Sequence, residues 1–398
     1  MGKDIPRRAE NQGGGRDDTG SSRWGKPQLK LPGMTPPASL MPPDYRNSLA
    51  KWYLAHHRKL PWRTRPTPYR VWVSEIMLQQ TRVDVVIPYY RSFLRRFPSM
   101  AALARAPVED VLEAWSGLGY YRRARMLHEG ARHVVEQYGG RFPRDLKTAQ
   151  TIPGVGRYTA GAILSIAYGI RAPILDGNVL RVLARVFGIE GDVHSGAARA
   201  QLWELAECAV EEGDPSTINQ AQMELGALIC APKNPRCDEC PLRGICIARA
   251  QGCVDRIPRV RARRAAVDVR CVVLLVRNGD RVLLRQRRDG ELLPGLWDLP
   301  GTFLGNDGDR SHGLEIAKTI PMKVEIGERL GTVRHAVTYR RITLEIYESS
   351  SSQSKAPAGW RWCTIDEAAA MAISSPARKI LTEWGEAARQ WTYALARS

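Results

Sequence analysis

From Tyr45 to about Ala248, apolar residues recur at intervals of three and four, the period of an amphipathic helix. Segments 45–58, 69–80, 83–97, 108–115, 121–138, 157–168, 178–187 and 197–212 read as helices with short connections. No stretch among them alternates as a strand does, so residues 43–248 are expected to form one all-α unit. After Val272 the period drops to two. Val272–Val276 and Arg281–Arg287 flank Asn278-Gly279-Asp280, the composition of a tight hairpin turn, and Thr343–Tyr347 reads as another strand. Ile365–Met371 and Pro376–Glu386 return to the helical period. Residues 269–390 are therefore expected to fold as a separate α+β domain, followed by a short tail, 391–398.

Two stretches show neither period. Residues 1–42 are rich in Gly, Pro, Ser and charge, which predicts a disordered tail. Residues 249–268 are rich in arginine and poor in bulky apolar groups, and read as a basic linker.

A length of 398 residues with 43% hydrophobic content allows two or three packed domains. The formal net charge of +18, with a pI of about 9.8, points to a polyanionic partner. There is no run of roughly 18 apolar residues, so no membrane span is expected. The first residues lack an apolar signal region, and a cytoplasmic address is the expectation. The eight cysteines are bunched, which favours metal over disulfides.

Cys230, Cys237, Cys240 and Cys246 form C-x6-C-x2-C-x5-C. Four thiolates so close suit either Zn²⁺ or a 4Fe–4S cluster, and spacing does not choose between them. Gly154 and Gly156 follow Pro153 and open a helix at Arg157. A glycine turn at a helix N-terminus offers free N–H groups to an anion such as phosphate, though it also serves as an ordinary tight turn. Asp176, before the helix that begins near Asn178, is either an N-cap or a carboxylate held at a fixed place beside that turn. Glu75 lies among Val71-Trp72-Val73 and Ile76-Met77-Leu78. Burial there would raise its pKa and keep it able to donate a proton; a glutamate that complements a helix dipole is the alternative. Gln80 and Tyr120, the latter in Gly117-Leu-Gly-Tyr-Tyr ahead of Arg122, Arg123 and Arg125, suit contacts with bases and phosphates, or simply a surface glutamine and a core tyrosine.

Leu60–Arg63 (LPWR), Ser74–Thr81 (SEIMLQQT), Gly117–Tyr121 (GLGYY), Ile152–Ile163 (IPGVGRYTAGAI), Leu175–Val179 (LDGNV) and the four cysteines occur in one order. That order resembles the helix-hairpin-helix DNA glycosylases of the endonuclease III superfamily, and among them the MutY family of adenine DNA glycosylases. The resemblance implies an enzyme of base excision repair. It would flip adenine, mispaired with 8-oxoguanine or guanine, out of duplex DNA and hydrolyse its N-glycosidic bond. Glu75 would be the general acid, Asp176 the carboxylate that stabilises the sugar cation, and Tyr158 and Asn178 supporting groups. Arg58, Trp62 and Gln220 would surround the flipped adenine. Gln80 and Tyr120 would insert into the duplex, Gly154 and Gly156 would bind its backbone, and the cysteines would hold a 4Fe–4S cluster. The resemblance further implies a monomer associated with the nucleoid. Bifunctional glycosylase/lyases of the superfamily carry a lysine where this chain has Tyr158. A phenol cannot form a Schiff base, so base removal without efficient strand cleavage is expected, with a bifunctional glycosylase/lyase as the alternative.

Gly295-Leu-Trp-Asp-Leu-Pro-Gly301, after the strand pair, resembles a Nudix fold. The glutamate run that cages Mg²⁺ in a Nudix hydrolase is missing, so no pyrophosphatase activity is expected. In this family the domain reads 8-oxoguanine through an aromatic–Ser/Thr–His loop. Val337-Thr338-Tyr339 takes that place: Thr338 keeps a hydroxyl for the damaged base, while Val337 and Tyr339 depart from the usual types.

Overall fold

In a computed structural model of the chain, the described residues are 41–259, 265–288, 290–291, 293–304, 310–337 and 339–384. The tails expected at 1–42 and 391–398 fall almost wholly outside them, and so does Thr338. The helices, in chain order, are α1 Pro43–His56, α2 Pro68–Leu78, α3 Val83–Arg96, α4 Met100–Arg105, α5 Val108–Ala114, α6 Arg122–Tyr138, α7 Leu146–Ala149, α8 Arg157–Tyr168, α9 Gly177–Val186, α10 Gly196–Ala209, α11 Pro215–Leu228 and α12 Ile247–Ala250. A 3-10 turn, Pro61–Arg63, lies between α1 and α2. No strand interrupts this run among the described residues.

Local chemistry sets many of the helix ends. Thr67 accepts the Arg70 amide at 3.3 Å and Pro68 takes the first helical position of α2. Ser99, Asp145, Ser195 and Asp214 cap α4, α7, α10 and α11 in the same way. Gly139 and Gly169 close α6 and α8 with left-handed backbone. Helix α2 is apolar on most sides, and Tyr69 and every residue from Val71 to Met77 are buried. It packs with α3, α6 and α8 around one core that includes Trp72, Phe93, Trp115, Leu127 and Ile163. A second core joins α1, α9, α10 and α11 through Tyr45, Leu49, Val182, Leu183, Leu202 and Leu225. Helix α8 lies between the two, with Ile163 in the first and Ala162 in the second. Helix α11 was not singled out by the apolar period. Its buried face carries Asn219, Gln222 and Glu224, and these polar groups hide the repeat.

The second lobe contains β1 Val267–Asn278, β2 Arg281–Gln286, β3 Trp297–Asp298, β4 Gly301–Leu304, α13 Arg310–Thr319, β5 Glu325–Val337, β6 Arg340–Ser350, β7 Trp360–Cys363 and α14 Ile365–Ala370, with a further helix at 375–384. The sheet runs β3-β2-β1-β6-β5, while β4 pairs with β1 and β7 with β2. β1 and β2 form the expected hairpin at Gly279-Asp280, and β1 and β6 are parallel from Val267↔Arg340 to Arg277↔Ser350. Alternate residues of β1 feed two cores. Val273 and Leu275 face Ile380 and Leu381, and Val272 and Leu274 face Ile316 of α13. The long strand β5 escaped the sequence reading because it is mostly exposed or half-buried and contains two glycines.

One expectation needs correction. The stretch 249–268 is not a free linker along its whole length. Cys253 and Ile257 are buried in the second helical core, and Arg185 Nε donates to the Ile257 carbonyl at 2.7 Å. At its other end Val267 and Asp268 already belong to β1. The two lobes also share buried contacts. Leu296 and Ala372 pack into the first helical core, Tyr121 Oη donates to the Ile373 carbonyl at 3.2 Å, and Arg125 Nη2 donates to the Pro294 carbonyl at 2.6 Å.

Candidate active site

Helices α2, α8, α9 and α11 converge on a cavity of about 740 Å³, within the usual range of ligand sites. Glu75, Tyr158, Asp176, Asn178, Arg58, Trp62, Gln220 and Gln80 all line it. Eight residues singled out for catalysis, adenine contact or insertion, from distant parts of the chain, thus meet in one place.

Glu75 sits toward the C-terminal end of α2, which removes the helix-dipole reading. It is 6% exposed, and Tyr158 Oη donates to its Oε2 at 2.5 Å. Burial pushes the carboxyl up to about 7, the phenol hydrogen bond pulls against that, and the nearby Asp176 charge adds to the rise. Near neutral pH the group is therefore shared between its acid and carboxylate forms.

Asp176 is both a cap and a cavity-lining carboxylate. It is the N-cap of α9, with Oδ1 accepting from Asn178 N at 3.0 Å and Val179 N at 2.7 Å, and it lines the cavity. Its Oδ2 accepts from Asn178 Nδ2 at 2.9 Å. Burial raises its pKa too, although these three bonds act against the rise. Glu75 and Asp176 thus share one buried setting. Both are desolvated, and they differ in donors: three N–H groups favour the Asp176 anion, while a single phenol meets Glu75.

Asn178 is held in turn. Arg181 Nη2 donates to its Oδ1 at 2.9 Å and to the Gly226 carbonyl at 2.7 Å, and Arg181 Nε donates to the Cys230 carbonyl at 2.7 Å. A Cβ on Gly226 would lie 2.6 Å from that of Asn178, so only glycine allows α9 and α11 to approach this closely.

The sequence reading missed Glu224 of α11. Its side chain is 1% exposed and accepts from Arg58 N (2.8 Å), Arg58 Nε (3.0 Å), Arg58 Nη2 (2.8 Å) and Arg63 Nη2 (2.9 Å). Burial alone would raise its pKa, but the two arginines win and hold it at about 2. Glu224 is therefore a fixed anion on the cavity wall that sets the direction of Arg58. Along the chain Glu224 is one acid between Met223 and Leu225, with nothing local to mark it. Trp62 is 7% exposed and meets Tyr90 edge-on at 5.5 Å. Gln220 Oε1 accepts from Tyr53 Oη at 3.1 Å.

A second concavity of about 660 Å³ lies between the lobes. Gln79, Gln80, Tyr120 and Gly154 line its helical side, and His335, Ala336 and Val337 line the other. Gly154 has φ 77°, and a Cβ there would meet Met126 Cβ at 2.8 Å. Gly156 is exposed and starts α8 with extended backbone, so only Gly154 needs glycine's left-handed freedom. At the β5–β6 tip Val337 and Tyr339 are 40% and 36% exposed. Thr338 lies outside the described residues. Arg341, just past that tip, donates from Nε and Nη2 to the two oxygens of Asp268, each at 2.7 Å.

The four clustered cysteines line a small hollow beside α9 and α11, together with Val182, Val186, Leu225, Ile229, Arg185, Arg243 and Arg249. Arg185 Nη1 approaches Cys230 Sγ at 3.4 Å, and Cys237, Cys240 and Cys246 each feel the charge of other members of the set. None of the eight cysteines forms a disulfide.

Two family models match the chain: the HhH-GPD superfamily of base excision DNA repair proteins over residues 73–208, and the NUDIX domain over residues 271–383. The chain is 36% identical over 402 residues to adenine DNA glycosylase of Rattus norvegicus, covering 86% of this chain and 78% of that protein. It is 36% identical to the Homo sapiens adenine DNA glycosylase, covering 84% and 73% respectively. Among solved structures, a thermostable thymine-DNA glycosylase is 32% identical with a TM-score of 0.48, covering 52% of this chain and 95% of that one.

Proposed function

The chain belongs to the adenine DNA glycosylase, or MutY, family of base excision repair enzymes, and from that premise we propose that it removes adenine mispaired with 8-oxoguanine or guanine from duplex DNA without efficient strand cleavage. Glu75 and Asp176 in one cavity of about 740 Å³ carry this reading. The target bond is out of reach inside a base stack, so the adenine must first be extruded. In the cavity, protonated Glu75 gives its proton to N7 of the adenine ring. The C1′–N9 bond then breaks, its electron pair stays with the base, and a neutral purine leaves. Asp176 remains an anion beside the sugar cation, which is electrostatic stabilisation where charge develops. Water adds to C1′ and releases a proton. Tyr158 and Asn178 hold the two carboxylates, while Arg58, Trp62 and Gln220 orient the base.

The absence of strand cleavage follows from the nucleophiles at hand. The described residues around the cavity include no lysine, and Tyr158 is engaged with Glu75. An amine is required for a Schiff base at C1′.

Cys230, Cys237, Cys240 and Cys246 would hold a 4Fe–4S cluster. All four thiols line one hollow beside α9 and α11, with Arg185, Arg243 and Arg249 beside them, and an all-thiolate set suits such a cluster. Bound there, the cluster would supply a cross-link that fixes the loop 230–246 against α9. We assign a helical domain from residue 43 through Ile257, a short basic linker after it, and a Nudix-like reader that begins with β1 at Val267, acting as a monomer on DNA. The reader would meet 8-oxoguanine at the β5–β6 tip. Its α13 carries one acid, Glu315, too few for a Mg²⁺ cage, so no nucleotide hydrolysis is expected.

The test is single-turnover excision from a labelled duplex with one A:8-oxoguanine pair, followed by borohydride. Loss of adenine with an alkali-labile but uncut strand is the expected result. Failure to release adenine would end the reading, and abundant borohydride-trapped adduct would replace it with a bifunctional lyase.

A further inference from the structure

Gln79 and Gln80 stand on the boundary between the active-site cavity and the groove between the lobes, and Tyr120 faces the groove beside them. Gln80 and Tyr120 are both exposed and both hold left-handed backbone, with φ 56° and 49°. Residues with side chains seldom adopt that conformation, and it persists only where the surroundings impose it. The two belong to separate elements, the end of α2 and the loop before α6.

One side chain touches both. Arg123 Nη1 donates to the carbonyls of Ile76 at 2.9 Å, Met77 at 2.9 Å, and Gln79. These lie at the C-terminal end of α2, where carbonyls lack helical partners. Its Nη2 donates to Thr81 Oγ1 at 3.1 Å and to the carbonyls of Leu118 at 3.3 Å and Gly119 at 3.2 Å. The guanidinium carbon lies 5.5 Å from the ring centres of both Trp115 and Tyr120. Burial lowers Arg123 to about 10, which leaves it charged at neutral pH.

Resting on the base-removal reading above, we propose that Arg123 is a positioning residue that pre-forms the two-part wedge of Gln80 and Tyr120 which enters the duplex when the target nucleotide leaves it. A simple cap on α2 would explain the contacts to Ile76, Met77 and Gln79. It would not explain why the other arm holds Leu118 and Gly119, or why the plane lies against Tyr120. The fork shape matters, because its two nitrogens serve two separate segments, whereas a lysine ammonium carries all its donors on one atom. With the wedge already shaped, extrusion need not also order two loops.

The test uses full-length protein and a duplex in which 2-aminopurine replaces the target adenine opposite 8-oxoguanine. Its fluorescence rises when the base leaves the stack. R123K and R123M should keep wild-type circular dichroism and still saturate the duplex. Both should lose most of the fluorescence rise, and excision from the adenine duplex should slow about 10- to 100-fold, the scale of a small misplacement of reacting groups. Combined with Gln80→Ala and Tyr120→Ala, R123M should add little further loss, because all three act through one device. A full fluorescence rise in R123M, or losses that multiply with those of the wedge variants, would overturn the assignment. So would unfolding of both Arg123 variants, which would make the residue a support of the core. Wild-type protein that neither extrudes nor excises would instead defeat the function reading, and the wedge with it.

Discussion

Replacing Glu75 by Gln should make the fold more stable at alkaline pH while abolishing base removal. The unfolded chain releases the Glu75 proton near the ordinary value of 4.5, and the folded chain holds it to about 7. Between those values the folded state binds more protons than the unfolded one, so stability falls as pH rises. Above pH 7 the fold carries a desolvated carboxylate. At roughly 1.4 kcal/mol per pH unit, that costs about 3 kcal/mol. With only 6% of the residue exposed, solvent gives little relief. Gln does not ionise, and its Oε1 can still accept from Tyr158. For a unit of this size, melting near pH 8 should rise by roughly 6–12 °C, and the gain should shrink toward zero as pH approaches 4.5. Single-turnover excision should drop on the order of 100-fold or more with the proton donor removed. Thermal melts across that pH range, paired with excision rates, check both halves. A variant no more stable than wild type at pH 8, or equally stabilised at every pH, would show that Glu75 titrates as a solvated acid, and the proton-donor argument would fail.

Three further outcomes follow from the same geometry. Wild-type excision should decline as pH rises past about 7, and Tyr158→Phe should move that limb upward by about one to two pH units, since the lost phenol bond favoured the carboxylate; an unmoved limb would detach Tyr158 from Glu75. Asp176→Asn should keep an oxygen to accept from Asn178 N and Val179 N, so α9 should still form with wild-type circular dichroism, while excision falls roughly 100-fold or more; a near-normal rate would place the stabilising anion elsewhere. Cys240→Ser should lower the iron bound per chain and the visible absorbance of the purified protein, and undiminished iron, or stoichiometric zinc in the wild type, would contradict the cluster assignment.

Much of this molecule was legible along the chain because the relevant signals are local. The three-and-four period of residues 45–248 and the two-residue period after Val272 report which side of each element meets the core. Asp176 could be read as a cap because capping involves only the next three residues. The four cysteines could be read together because they fall within 17 residues. Other features depend on what distant segments bring close. The proton affinity of Glu75 is set by α8 and α9 around it, and nothing in Val71–Leu78 states how dry that place becomes. Glu224 was invisible because its partners, Arg58 and Arg63, lie 166 and 161 residues away. Along the chain Arg123 was one of three arginines suited to phosphates, and only the fold wrapped two carbonyl-rich turns around it. Periodicity and caps are short-range properties of the backbone, whereas desolvation and long-range ion pairing exist only once the helices have packed.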